Sequence, residues 1–143
     1  MQKCIIFDNG KGGVSVIIPA PNCGLTIEEI AAKDAPAGSS PEIVSVDNIP
    51  TDRTFREAWQ REKGAVVEHV EKSRVIAHEM RRLERSEEFK PFDAQATIPF
   101  MAEKAEEGRA KIRQKYDEIQ KEMDATPNVG GLRVLVKGMK EKK

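Results

Sequence analysis

The chain has 143 residues, of which 38% are hydrophobic, 5% aromatic and 34% charged. This length is typical of one domain with a real core, but the composition predicts a thin core and long, charged, surface-exposed helices. The 24 basic and 24 acidic residues cancel, which argues against a general binder of nucleic acid, because phosphate binding requires an excess of cations on one face.

The first predicted element is a β-hairpin. Two runs rich in β-branched and aromatic residues, 3–7 and 14–18, flank the sequence DNGKGG, whose glycines can adopt the positive φ angles of a tight reversal. A phosphate-binding loop would need Ser or Thr directly after Gly-Lys and a helix behind it. Here Lys11 is followed by glycine and then by a strand. The glycines therefore indicate a turn.

A short helix and a third strand complete the predicted N-terminal part. Thr26 followed by Glu29 forms a capping box for a helix that extends to Lys33. A turn-rich connector then leads to a strand at 42–46. Residues 1–50 are therefore expected to be β-rich.

The segment after Pro50 predicts a change to helical structure. Proline disfavours a helical conformation in the residue before it, and Thr51 and Asp52 can cap a helix that begins at either position. On such a helix Phe55 and Trp59 are four residues apart and share a face. We expect these two rings to pack the helical part onto the sheet.

Two long amphipathic helices are predicted next, over residues 64–86 and 97–124. The proline-containing segment 89–93 should break the run, so that the helices fold back as an antiparallel hairpin. Gly108 is expected to weaken the second helix and could divide it. Its apolar stripe is Met101, Ala105, Gly108, Ile112, Lys115 or Tyr116, Ile119 and Met123.

The end of the chain predicts a returning strand. Two glycines precede the apolar run 132–136, which we expect to join the N-terminal sheet as an edge strand before a basic tail. The sequence thus predicts an α+β fold, with a small, mostly antiparallel sheet and a long antiparallel helical hairpin. Its parts are 1–50 (β-rich), 51–125 (helical) and 126–143 (strand and tail), within one structural unit.

No set of residues predicts catalysis, a metal site or a cofactor. His69 and His78 are nine residues apart, so they cannot hold a metal as an i, i+4 pair. Adjacent carboxylates such as Glu87-Glu88 diverge by about 100° on a helix and cannot converge on one substrate. Cys4 and Cys23 are expected to be reduced thiols, the second buried beside a turn. We therefore expect a protein that is not an enzyme.

The exposed part of the segment around Trp59 is the better candidate for a contact surface. Arg53, Phe55, Arg56 and Trp59 are predicted as partner-binding residues, because Trp and Arg are enriched at interface hot spots. Against this, a single Trp beside a Phe in a small protein is more often simply part of the core, and that is the favoured interpretation of the two rings.

A basic cluster keeps nucleic-acid binding open as an alternative. Arg81, Arg82 and Arg85, with Arg74 before them, could touch phosphates. Neighbouring glutamates neutralise most of their field, so nucleic acid is the less favoured partner.

Two sequence segments in the first half of the chain resemble those of known proteins. NGKGGVSVIIPAPNCGLTIEEIAAKDAPAG together with IPTDRTFREAW resembles small proteins encoded in bacteriophages and prophages. Further on, LERSEEFKPFDAQA followed by KIRQKYDEIQKEMDA is similar to the C-terminal part of phage tail assembly chaperones. Phe89, Phe92 and Asp93 stand near that family's first apolar pair and Asp, although a proline separates the pair here. Ile119 and Asp124 stand near its second element.

The resemblance implies a non-enzymatic bacteriophage tail-associated protein that acts by protein contact, as a minor virion component or a tail assembly factor. Its partners would be other virion proteins of the tail or tail fibre, with self-association through the helical hairpin as a further expectation. The alternative is a phage-encoded nucleic-acid-binding or host-directed regulatory protein. No apolar run approaches the ~18 residues of a membrane helix, so we expect no membrane association. The expected location is the host bacterial cytoplasm during assembly, or the virion.

Overall fold

The computed structural model describes residues 2–141, and the last two residues of the predicted basic tail lie outside this range. The chain divides into two compact units, Met1–His69 and Val70–Lys143, where the sequence predicted one unit with its internal change after residue 50. Helices make up 58% and strands 16% of the structure, which confirms the predicted α+β class.

The first unit contains a three-stranded antiparallel sheet. Strands β1 (Lys3–Asp8), β2 (Val14–Ile17) and β3 (Glu42–Ser45) lie in the order β2-β1-β3. In the register, Ile6 of β1 lies opposite Val16 of β2 and Glu42 of β3. The predicted hairpin and third strand are confirmed.

Both faces of this sheet are covered, because successive side chains of β1 point to opposite sides. Ile5 and Phe7 pack with Ile30 of helix α1 (Ile27–Asp34). The predicted capping box begins this helix, since the Glu29 N–H donates to the Thr26 hydroxyl (3.2 Å) and the Thr26 N–H to the Glu29 carboxylate (2.8 Å). The opposite face holds a second cluster, made of Cys4, Ile6, Val14, Val44, Trp59 and Val66.

A second hairpin replaces the helix predicted to begin at Thr51 or Asp52. Arg56–Ala58 form one 3-10 turn, and the chain then continues as β4 (Trp59–Glu62) and β5 (Ala65–Glu68). Lys63 and Gly64 both have positive φ, of 46° and 78°, as the two central residues of a tight hairpin turn require. The predicted helix is wrong because the Lys-Gly turn favours a hairpin that buries Trp59 opposite Glu68.

The second unit begins with the predicted helical hairpin, at shifted boundaries. Helix α2 (Val70–Ala96) includes Pro91, so the predicted break at 89–93 is wrong. Proline costs the helix one hydrogen bond to the carbonyl four residues earlier, and the helix tolerates this near its end. A 3-10 turn, Pro99–Met101, leads to α3 (Ala102–Ala125).

Ion pairs between the two long helices show that the helices are antiparallel. Positions that rise along α2 pair with positions that fall along α3: His78 with Asp124, Glu88 with Lys115, and Asp93 with Arg109. Helix α3 is not divided at its glycine, and its predicted stripe is confirmed. Its buried members are Ala105, Ile112, Tyr116 and Met123.

The C-terminal segment is helix α4 (Val129–Glu141), so the predicted strand at 132–136 and its return to the sheet are wrong. Leu132, Val136 and Met139 are buried at the three- and four-residue spacing of a helix. The Asn128 side chain accepts the N–H of Gly131 (2.8 Å) and so starts the helix. Within the second unit, α4 packs against α2 and α3.

Candidate contact site

A cleft of about 290 Å³ in the first unit contains three of the four predicted partner-binding residues. Its apolar wall consists of Val16 and Ile18 at the end of β2, and of Val46, Ile49 and Pro50 in the segment that follows β3. Its polar side comes from the segment before β4. The lining residues are Val16, Ile18, Val46, Ile49, Pro50, Thr51, Arg53, Arg56 and Trp59.

Local turns place the two arginines on the same side of the cleft. The Asp52 side chain accepts the N–H of Thr54 (2.8 Å), a local bond that favours a turn over a continuous helix. The Arg56 N–H then donates to the Arg53 carbonyl (3.1 Å). This bond closes a tight turn over residues 53–56, and both arginine side chains line the cleft.

The indole of Trp59 forms the buried end of this site. Trp59 is 1% exposed and belongs to the apolar cluster on the sheet. The Arg53 guanidinium lies over its ring, 5.7 Å from the centroid, which is a cation–π distance. The indole Nε1 of Trp59 is buried and has no hydrogen-bond acceptor among residues 2–141. Buried tryptophans usually have such an acceptor.

The cleft has two arginine side chains along one side. Arg53 and Arg56 are both exposed, and neither forms an ion pair within residues 2–141. Arg61, on the neighbouring strand β4, contrasts with them. Its guanidinium pairs with Glu42 (2.9 Å) and Asp8 (3.5 Å). The site therefore presents an apolar wall beside two guanidinium groups that are available to an acidic group.

Phe55 differs from the other predicted contact residues. It is fully buried and does not line the cleft, so its ring is a core side chain. The structure thus brings together Arg53, Arg56 and Trp59, with the indole largely covered and the guanidinium groups open. The expected i, i+4 pairing of Phe55 and Trp59 on one α-helical face is wrong, because only the single 3-10 turn Arg56–Ala58 separates them and Trp59 begins a strand.

The basic cluster of the second unit is partly occupied in holding the bundle together. Arg74 donates to carbonyl oxygens at the end of α3, those of Met123, Asp124 (3.5 Å) and Thr126 (2.8 Å). Arg81 is buried, and its Nε donates to His78 (3.3 Å). These two arginines are therefore structural residues in this unit.

The histidines and cysteines do not form a metal site. No group of three His, Cys, Asp or Glu side chains that could hold a metal occurs in the described part of the chain. Both cysteines are free thiols. Cys4 is buried, and burial raises the pKa of its thiol. Cys23 is exposed, which corrects the expectation of a buried thiol, because it follows the open turn at Asn22 instead of entering the core.

The sequence did not indicate the apolar wall of the cleft. Val16 and Ile18 are two residues apart and so lie on one side of the predicted hairpin strand, but the chain returns to that side only through residues 46–51. This approach depends on long-range packing. The available signal was Pro50, which keeps Ile49 extended and ends the 3-10 turn Val46–Asn48 beside the sheet.

Comparison with known proteins gave no relative: the sequence matches no family model, no curated protein and no solved structure. No helix among residues 2–141 is long and apolar enough to cross a membrane.

Proposed function

We propose that this chain is a non-enzymatic bacteriophage tail-associated protein that acts by binding other virion proteins, as a minor virion component or a tail assembly factor. The phage assignment rests on the resemblance of residues 5–59 to small phage and prophage proteins. The contact role rests on the cleft, and the observation that carries it is the pair of unpaired arginines beside an apolar wall. Work in tail assembly would place the protein in the host cytoplasm, and a structural role would place it in the virion.

Protein contact fits this arrangement for a physical reason. An interface gains most from a few buried anchors, with Trp and Arg prominent among them, surrounded by contacts that exclude water. Arg53 and Arg56 can form charge-assisted hydrogen bonds with carboxylates, and their planar donors favour bidentate geometry. The cleft can take an apolar side chain next to such a carboxylate.

Self-association of the helical hairpin is a second part of the proposal. Large apolar side chains remain exposed on the second unit, and Phe100 at the tip of the hairpin is 88% exposed. Exposed apolar surface of this kind favours burial against another protein or a second copy. The other exposed large apolar residues of the second unit are Val75, Leu83, Ile98 and Val134. Sedimentation of the wild type and of a Phe100→Ser variant over a range of concentrations would test it, and a monomer at all concentrations would contradict it.

The role in assembly is tested by deleting the gene in the phage that encodes it and complementing with variants. We expect electron micrographs of the deletion to show missing or defective tails. Wild-type protein should restore them, whereas an Arg53→Glu/Arg56→Glu variant should not. A Lys11→Glu/Lys33→Glu variant makes the same charge change at two exposed lysines of the first unit and should restore normal tails. Normal tails without the gene would contradict the proposal.

A further inference from the structure

The edge of β2 beside the cleft has open backbone groups. Asn9 donates its N–H to the Gly13 carbonyl (3.2 Å), and hydrogen-bonded pairs alternate along an antiparallel ladder. Gly13 and Ser15 therefore direct their backbone groups toward β1, whereas Val16 directs its groups away from it. Ile18 follows directly after the strand. Strand β2 is the outer strand of its sheet, so the backbone groups of Val16 face no neighbouring strand of that sheet.

The same two residues line the cleft. The Val16 and Ile18 side chains belong to its wall, and Ile18 is 56% exposed. A segment that paired with this edge would place every second side chain on the cleft side. Those side chains would meet the apolar wall and the guanidinium groups of Arg53 and Arg56, which line the same cleft.

We propose that the cleft binds an extended segment of a partner protein, which adds to the sheet as a strand beside β2. The segment would direct one apolar side chain and, two residues away, one carboxylate into the cleft. This inference rests on the proposed function, because it names the kind of partner that the same site would take. Main-chain hydrogen bonds provide affinity in such strand addition, and alternate side chains provide specificity.

Charge distinguishes this edge from the other free edge of the sheet. Strand β3 begins at Glu42, whose carboxylate is paired with Arg61 (2.9 Å). An acidic segment there would add negative charge beside Glu42. The two unpaired arginines favour the β2 edge for a segment that carries a carboxylate.

The test uses the full chain and a capped seven-residue peptide in which leucine and glutamate share one face and threonines occupy the other. Trp59 is the only tryptophan and lines the cleft, so its fluorescence reports binding directly. We expect saturable binding. Replacing the peptide glutamate with lysine should weaken it about tenfold. The Arg53→Glu/Arg56→Glu protein should show the reverse preference, and the Lys11→Glu/Lys33→Glu protein should behave as wild type.

Peptide backbone methylation tests strand pairing without changing the protein. N-methyl groups on one alternate set of residues remove the donors that face β2, and those on the other set leave these donors intact. We expect one set to weaken binding about tenfold or more and the other to have little effect, because only one edge of the added strand is paired. Equal effects of the two sets, or no binding of the unmodified peptide, would overturn the inference.

The two proposals fail in different ways. If tail assembly requires Arg53 and Arg56 but the peptide does not bind, strand addition is wrong and the contact function stands. If the peptide binds with the expected selectivity but tails form normally without the gene, strand addition stands and the function in tail assembly is wrong.

Discussion

The two units of this protein are stabilised in different ways. The first unit buries large apolar side chains on both faces of a three-stranded sheet, including Ile5, Ile6 and Trp59. The second unit buries its large apolar side chains on α3 and α4, among them Tyr116, Met123 and Leu132. The buried positions of α2 are Ser73, Ala77 and Arg81. The helices of the second unit are connected by ion pairs and side-chain hydrogen bonds, and they approach each other closely at small residues.

This difference shows how a chain with 34% charged residues can still form two compact units. Apolar burial contributes about 25 cal/mol per Å² and occurs in both units, on the sheet of the first and along α3 and α4 of the second. Between α2 and α3, a close approach of the backbones and charged side-chain contacts add to this burial. The aromatic ring of Phe92 lies directly against Gly108, where a Cβ would come within 2.7 Å of the ring Cζ. Ion pairs between α2 and α3, together with the hydrogen bonds from Arg74 to backbone carbonyls, then fix how the two helices align.

The largest effect is expected in the apolar core of the first unit. Ile6→Ala should lower the free energy of unfolding by about 2–5 kcal/mol, because it removes a fully buried side chain and leaves a cavity. Urea unfolding followed by Trp59 fluorescence reports this unit. Leu25→Ala, at a side chain that is 45% exposed, is the control and should change the value by about 0.5 kcal/mol or less. A small effect of Ile6→Ala would contradict the comparison.

A paired glycine substitution tests close packing in the second unit. Gly108→Ala should lower the free energy of unfolding by about 1–3 kcal/mol, because the new methyl group overlaps the Phe92 ring. Gly138→Ala, where nothing lies within 4 Å, should raise it by about 1 kcal/mol through helix propensity alone. Urea unfolding followed by helical circular dichroism measures both. The same stabilisation by both alanines would disprove the close approach.

The next effect concerns the contact between Arg74 and the end of α3. Arg74→Met keeps most of the side chain but removes the donors to the Met123 and Thr126 carbonyls. We expect a loss of about 1–2 kcal/mol in the free energy of unfolding, since carbonyl groups lose charged donors. Arg82→Met, at an exposed position on the same helix, should have an effect within about 0.5 kcal/mol. Equal effects of the two variants in helical circular dichroism would show that the contact contributes nothing specific.

The smallest effect is a pH dependence of the second unit. Burial, and then the nearby carboxylates of Glu88 and Glu84, raise the pKa of Tyr116 above its ordinary value of 10.0. The folded state therefore keeps the phenol proton at pH values where the unfolded state loses it. Stability from this group is complete below pH 10 and falls as the pH rises above it. Denaturation at pH 9 to 11 should show a steeper decline for wild type than for Tyr116→Phe, and parallel declines would contradict this.

Local signals predicted the elements that depend on neighbouring residues. Thr26 and Glu29 specified the start of α1, and the glycines after Asn9 specified the first hairpin. The spacing along α3 identified its buried stripe. The helical hairpin could be predicted because its apolar period extends over many turns, and this outweighs Pro91.

The errors occurred where short segments carry competing signals. At 51–59 the capping residues favoured a helix, but the Lys63-Gly64 turn and the burial of Trp59 produce a hairpin. At 132–136 the β-branched run favoured a strand, but Leu132, Val136 and Met139 also match a helical spacing. For the candidate site, three of the residues predicted from the sequence, Arg53, Arg56 and Trp59, line the cleft. The sequence could not identify the opposite wall, because residues distant in sequence meet there.

The most direct test of the contact site is photo-crosslinking in bacteria that produce the phage, with a photoreactive phenylalanine at position 18. Ile18 borders the cleft and is exposed, and position 25, also exposed in the same unit, is the control. We expect a cross-link from position 18 to a virion protein, identified by mass spectrometry. It should be lost in the Arg53→Glu/Arg56→Glu background and kept in the Lys11→Glu/Lys33→Glu background. No virion protein at position 18, or a cross-link unaffected by reversing the arginines, would contradict the proposed contact site.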